Sequence, residues 1–215
     1  MIIQIVDLCF SYNKSKKILE NVTYIFESGK AYILSGANGS GKTTLTRLIM
    51  GLLKPNMGSV SIDNEPLINP SKLRLADKIG YLFQNTDMQL FANTVYEELA
   101  FPYQITGAYN NDIENKIDIT LKEFGLDGLY DRFPLLLSGG EKQRLALATI
   151  FIRDVQFLIL DEPSSSIDQE GKIFLAELIN RFVEQGGGVI VISHDEELKD
   201  MINNPVHISL NEGRL

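Results

Sequence analysis

Three short stretches carry residues whose types and spacing could do chemistry. Gly36-Ala37-Asn38-Gly39-Ser40-Gly41-Lys42-Thr43 has the pattern G-x-x-x-x-G-K-[ST]. Its backbone, from Gly36 through Asn38, Gly39, Ser40 and Gly41, would curl so that successive N–H groups face inward and form an anion nest. The helix that follows adds the positive end of its dipole. Lys42 then suits the β- and γ-phosphates, Thr43 a Mg²⁺ ion and Thr44 the α-phosphate of a nucleotide. The second stretch, Phe157-Leu158-Ile159-Leu160-Asp161-Glu162, is four apolar residues and then two carboxylates. Asp161 at the strand end suits a Mg²⁺ ligand, and Glu162 suits a base for an attacking water. Read alone the pair is a surface turn before Pro163; beside the phosphate loop it is the second half of a nucleotide site.

The third stretch is Leu137-Ser138-Gly139-Gly140-Glu141-Lys142-Gln143-Arg144. Ser138 and Glu141 have capping-box spacing. Two glycines in a first helical turn weaken the helix, so the cap alone does not explain them. Glycine allows close backbone approach, and a helix start attracts anions. This is a second candidate phosphate-facing surface.

These residues need elements to hold them. Ile2–Val6, Val22–Phe26, Ala31–Leu34, Val60–Ile62 and Ile79–Phe83 read as strands. Ser28-Gly29-Lys30 reads as a turn. Leu45, Leu48, Ile49 and Leu52 lie on one face of a helix running from Gly41 to Leu53. The middle, about 94–153, reads as helical. Thr94 begins a helix that Pro102 should end, and Ile113, Ile117, Leu121 and Phe124 mark another, closed by Gly125. Phe157–Leu160 and Val189–Ile192 are unbroken apolar runs, suited to strands buried on both faces of a parallel sheet. Gln169–Gln185 between them reads as a helix. Four strands are each followed by a polar or glycine residue: Gly36, Gln84, Asp161 and His194. In open α/β sheets ligands bind at that carboxyl edge.

Composition narrows the class. The 215 residues are 44% hydrophobic and 22% charged, an ordinary globular balance that excludes collagen-like and disordered chains. Twenty Lys and Arg stand against 28 Asp and Glu, a net charge of −8, which argues against non-specific grip on nucleic-acid phosphates. The one cysteine, Cys9, forms no internal disulfide and fits a reducing compartment. The apolar start, Met1–Phe10, reads as a strand rather than a signal peptide, and no apolar run reaches the ~20 residues that span a bilayer. A membrane role would therefore run through a partner.

In this order, the phosphate loop, the LSGGEKQR stretch, the Asp161-Glu162 pair and the later His194 resemble the nucleotide-binding domain of an ATP-binding cassette (ABC) protein, over nearly the whole chain. The resemblance implies an α/β fold with a mixed β-sheet, a P-loop RecA-like core, an antiparallel β subdomain and a helical insertion. It implies one ABC ATPase domain over 1–215, with the helical subdomain at about 86–155. ATP and Mg²⁺ are the implied ligands. Two ATPase chains, the same or paralogous, would pack head to tail. Ser138, Gly139 and Gly140 of one would contact the γ-phosphate held by the other. Gln84 would match a glutamine that senses Mg²⁺ and the attacking water, and His194 a histidine that contacts the γ-phosphate. Lys42, Gln84, Glu162 and His194 would be the catalytic set, with Thr43, Gln84 and Asp161 around the metal. Tyr12 has two readings, an aromatic stacked on adenine or one packed at a sheet edge. Asp168 likewise matches a family loop and also suits a helix N-cap.

The stretch Gly80–Phe101 is similar to the ATPases of energy-coupling factor importers for vitamins, cobalt or nickel. Those usually show proline where Thr86 stands, and many extend further at the C-terminus. The partners so implied are a membrane-embedded coupling subunit and a substrate-binding membrane subunit, with the ATPase peripheral on the cytoplasmic face and no nucleic acid. Met88, Leu90 and Phe91 read equally as core and as a partner groove. A peptide or drug exporter would share every catalytic motif. A soluble ABC ATPase acting on nucleic acid or ribosomes fits the length and charge less well.

Overall fold

The computed structural model describes residues 1–13, 17–67 and 75–215. Strands β1 (Ile2–Phe10) and β2 (Leu19–Glu27) pair antiparallel. A turn at Gly29 leads to β3 (Ala31–Ser35), the phosphate loop and helix α1 (Lys42–Ile49). Strands β4 (Met57–Ile62) and β5 (Glu65–Pro66) follow, then α2 (Leu75–Lys78) and β6 (Ile79–Leu82). Three helices come next: α3 (Val95–Thr106), α4 (Asn111–Glu123) and α5 (Gly139–Phe151). The chain ends through β7 (Phe157–Asp161), α6 (Gln169–Glu184), β8 (Gly188–Ile192), α7 (Glu196–Met201) and β9 (Val206–Ser209).

The mixed character of the fold is divided between two sheets. β2-β1-β4-β5 is antiparallel, and β6-β7-β8-β3-β9 is parallel. Strand side chains alternate faces, and the parallel sheet uses both. Ile33, Leu158, Leu160, Val189 and Val191 pack toward α3–α6. Tyr32, Leu34, Phe157, Ile159, Ile190 and Ile192 pack with α1 and the antiparallel sheet. This double burial explains the unbroken apolar runs of β7 and β8. Parallel strands end at one edge, so the residues after β6, β7, β8 and β3 converge there.

Three expectations need correction. α1 ends at Ile49, not Leu53, because the chain turns at Gly51 (φ 64°), and Leu52 is exposed rather than on a buried helix face. β1 runs on past Val6, because a bulge at Asp7 (φ 48°) shifts the register and breaks the apolar alternation that marked its end. Pro102 does not end α3, which continues to Thr106 and closes at Gly107 (φ 71°). A proline inside a helix costs about 3 kcal/mol. Tertiary contacts on both sides offset it: Leu99 and Ala100 are buried before the proline, and the Tyr103 hydroxyl after it donates to the Ile152 carbonyl at 2.5 Å. Among the described residues no helix is long and apolar enough to cross a membrane.

Gly80 fixes how closely α5 approaches β6. A Cβ there would sit 2.1 Å from Ile150 Cγ2 and 3.0 Å from Leu158 Cδ2. Gly80→Ala is therefore expected to destabilise by about 2 kcal/mol, lowering Tm by ~5 °C in thermal unfolding. An unchanged Tm would show that the helix shifts freely off the sheet.

Candidate functional site

The loop between β3 and α1 holds backbone shapes that side chains disfavour. Gly36 has φ 143° and Gly41 φ 108°, and a Cβ would meet the Leu210 carbonyl oxygen at 2.3 Å or Leu19 Cδ2 at 2.9 Å. Lys42 is buried over this loop, donating to the Gly36 and Ala37 carbonyls at 2.7 and 3.2 Å. Ser40 Oγ is buried in the loop with no hydrogen-bond partner among the described residues. Such an orphaned polar atom suits a ligand that accepts or donates there.

The two strand ends bring the carboxylates to the loop. The Thr43 hydroxyl donates to Asp161 Oδ2 at 2.8 Å across 118 residues of sequence. Asp161 is almost fully buried, and burial pushes its carboxyl above the usual range, against the pull of the Thr43 bond and the Arg47 cation. The Tyr81 hydroxyl stands 3.5 Å from the same oxygen and 3.1 Å from Thr46 Oγ1, and burial pushes that phenol up to about 12. Glu162 is held in the left-handed region (φ 51°), with its N–H donating to the Ile192 carbonyl at 2.8 Å. Glu162 Oε1 lies 3.6 Å from His194 Nε2, and the His194 N–H approaches Oε2 at 3.4 Å.

One cavity of about 450 Å³ gathers Tyr12, Asn38, Gly39, Gly41, Lys42, Thr43, Thr44, Gln84, Asp161, Glu162 and His194. Gly36 and Ser40 shape the loop behind it. Tyr12 is packed against a strand residue and also lines the cavity. Its ring packs edge-on against Phe10 at 4.9 Å, its hydroxyl stands 3.4 Å from Thr44 Oγ1, and it lines the cavity mouth.

Ser138, Gly139 and Gly140 line no part of that cavity. Ser138 and Gly140 border a separate one of about 280 Å³, together with Gln143, Arg144, Ser166, Ile167 and Asp168. Ser138 caps α5 in a full capping box. Its hydroxyl and its N–H donate to Glu141 Oε2 at 2.6 and 2.7 Å, which holds that carboxyl below its usual range. Among the described residues nothing requires the glycines. A Cβ on Gly139 or Gly140 would reach Ser166 at ordinary contact distances of 3.5 and 3.7 Å. Asp168 caps α6 by accepting from the Gly171 N–H at 2.9 Å and also borders this second cavity.

Several residues in this machinery were not singled out by spacing. Gln143 is buried and donates to the Pro163 carbonyl at 2.8 Å. Asp87 pairs with Lys142 at 2.8 Å, and Gln89 donates to the Ala146 carbonyl at 3.0 Å, clipping the segment after Gln84 onto α5. These partners lie 20 to 57 residues apart in sequence, so no local pattern announces them. Leu90 is core, whereas Met88 and Phe91 are exposed; Phe91 borders an apolar groove with Leu52, Phe101 and Ile105.

A model of the ABC transporter family matches residues 19–165. An ABC transporter ATP-binding protein, so named without finer assignment, from Pyrococcus abyssi is 39% identical over 196 residues, which is 91% of this chain and 75% of its own. The energy-coupling factor transporter ATP-binding protein EcfA1 of Thermotoga maritima is 39% identical over 200 residues, covering 93% of this chain and 75% of that one. The structure of cbiO1 from Clostridium perfringens, described as part of the ABC transporter complex cbiONQ, matches at TM-score 0.82 and 30% identity, over 99% of this chain and 85% of that one. A dimeric ATP-binding cassette in a post-hydrolysis state, bound to ADP and Pi, matches at TM-score 0.86 and 24% identity over 99% and 96%, a likeness of fold.

Proposed function

The chain belongs to the ABC transporter family as its ATP-hydrolysing domain, and on that footing we propose that it drives a membrane importer of the energy-coupling factor type, for a vitamin or a transition-metal ion. The 39% identity to EcfA1 over nine-tenths of the chain is the observation that carries the importer reading. The 30% identity to cbiO1 supports it.

The reaction is in-line attack of water on the γ-phosphorus of ATP. A new P–O bond forms to water, and the bond to the β-phosphate oxygen breaks, releasing ADP and phosphate. In this reading the loop amides from Gly36 to Gly41 and the Lys42 ammonium hold the phosphates. Glu162 orients the water and takes up its proton, and His194, beside it, contacts the γ-phosphate. Thr43, Asp161 and Gln84 offer a hydroxyl, a carboxylate and an amide, a hard oxygen set that fits Mg²⁺. Bound there, the ion would neutralise charge on the phosphates.

The second phosphate surface belongs to a dimer. Ser138–Gly140 stand apart from the chain's own nucleotide cavity, and their glycines serve no internal contact. Both facts fit a head-to-tail pair in which this surface closes on ATP held by another ABC ATPase chain. Met88 and Phe91, 71% and 62% accessible, are exposed apolar side chains in the segment after Gln84, suited to a membrane-embedded coupling subunit. That seat would hold the ATPase on the cytoplasmic face of the membrane, with a substrate-binding subunit beyond.

Affinity purification from detergent-solubilised native membranes tests this. The expected co-purifying chains are a polytopic coupling protein and a small substrate-binding membrane protein. An exporter-like permease would reverse the direction of transport, and recovery with ribosomes or DNA-repair proteins would end the transport reading.

A further inference from the structure

Glu162 sits in a backbone conformation that a non-glycine residue holds only when its surroundings impose it. Three hydrogen bonds hold the turn around it. The Glu162 N–H donates to the Ile192 carbonyl at 2.8 Å, from strand β8. The Ser165 N–H donates to the Glu162 carbonyl at 3.3 Å, closing the turn. The third comes from α5, where Gln143 Nε2 donates to the Pro163 carbonyl at 2.8 Å. Gln143 is only 2% exposed. A buried amide is unfavourable unless it is hydrogen-bonded, so a side chain that merely filled this space would be apolar. Gln143 lies little more than one turn beyond Ser138 on the same helix, and a helix moves as a rigid body over that distance.

We propose that Gln143 is a positioning residue for Glu162, joining the Ser138–Gly140 surface to the turn that carries the attack carboxylate. The consequence rests on the head-to-tail reading. Contact between Ser138–Gly140 and the partner's ATP sets the position of α5. Through Gln143 that position reaches Glu162 in the chain's own site. Each ATP is then hydrolysed in register with closure on the other.

The test compares Gln143→Met, Glu162→Gln and the double variant in the assembled ATPase, with ATP hydrolysis followed at steady state and in single turnover. Methionine keeps the length and volume and removes the donor. A reacting group displaced by a fraction of an ångström loses on the order of 10-fold. Gln143→Met is therefore expected to lower kcat about tenfold, with KM for ATP and fluorescent-nucleotide binding within about twofold of the parent. In the Glu162→Gln background the same change is expected to alter the residual single-turnover rate less than about twofold, since the group it positions is already gone. A second tenfold loss in that background, or an unchanged kcat in the single variant, would overturn the proposal. Should the methionine variant not fold, Gln143→Asn makes the same comparison, keeping the amide but drawing it back by one methylene. ATP-driven dimerisation by light scattering is read in parallel. Its absence in the parent and in Glu162→Gln, both alone and mixed with the co-purifying ATPase chain, would refute the head-to-tail reading, while the non-additivity still decides the role of Gln143.

Discussion

Glu162→Gln is expected to lower ATP hydrolysis by about 10²–10⁴-fold, the usual contribution of a positioned base. The substitution keeps the shape of the side chain. It removes the carboxylate that lies against His194 in the cavity, the group proposed to take the proton of the water. The phosphate loop, Lys42 and the Thr43–Asp161 pair are untouched, so ATP affinity should stay within about threefold. Binding without turnover should then accumulate a closed dimer, seen as a doubling of mass by light scattering when ATP and Mg²⁺ are added. Hydrolysis at the parent rate would remove Glu162 from the mechanism.

Gly139→Asp should separate stability from activity. The new Cβ meets Ser166 only at van der Waals distance, so the chain has room for it. Position 139 is the first residue of α5 after the Ser138 cap, where a carboxylate gains about 0.3–1 kcal/mol from the helix dipole and any residue outperforms glycine. Tm should therefore stay level or rise slightly. Activity should fall at least ~100-fold, because a carboxylate facing the partner's γ-phosphate would repel it and hold the backbone donors off the developing charge, an effect about as large as losing one such donor. Nucleotide binding to the isolated chain should not change, because Gly139 lines no part of that cavity. A variant as active as the parent would mean that this surface never meets phosphate. One with collapsed Tm would mean that the glycine serves the chain's own packing.

The residues themselves determined the chemistry of the first site. A glycine-rich loop, a lysine and a hydroxyl on a helix start are set by local backbone conformation and by neighbours within eight positions. The buried β7 and β8 were legible because burial on both faces leaves only apolar side chains. The shared sheet edge followed from strand direction, since parallel strands finish together. Other features were decided only by packing. Pro102 stays inside α3 because Leu99, Ala100 and Tyr103 are anchored around it, and that energy comes from residues distant in sequence. Leu90 is core while Met88 and Phe91 are exposed, although all three are apolar within four positions, and no local pattern separates them. Gln143 on a helix reads as a surface residue until Pro163 arrives beneath it. The separation of the phosphate loop from Ser138–Gly140 was decided by tertiary structure as well. Spacing along the chain names the groups that bind, but the folded layers alone determine which of them one molecule can bring to the same atom.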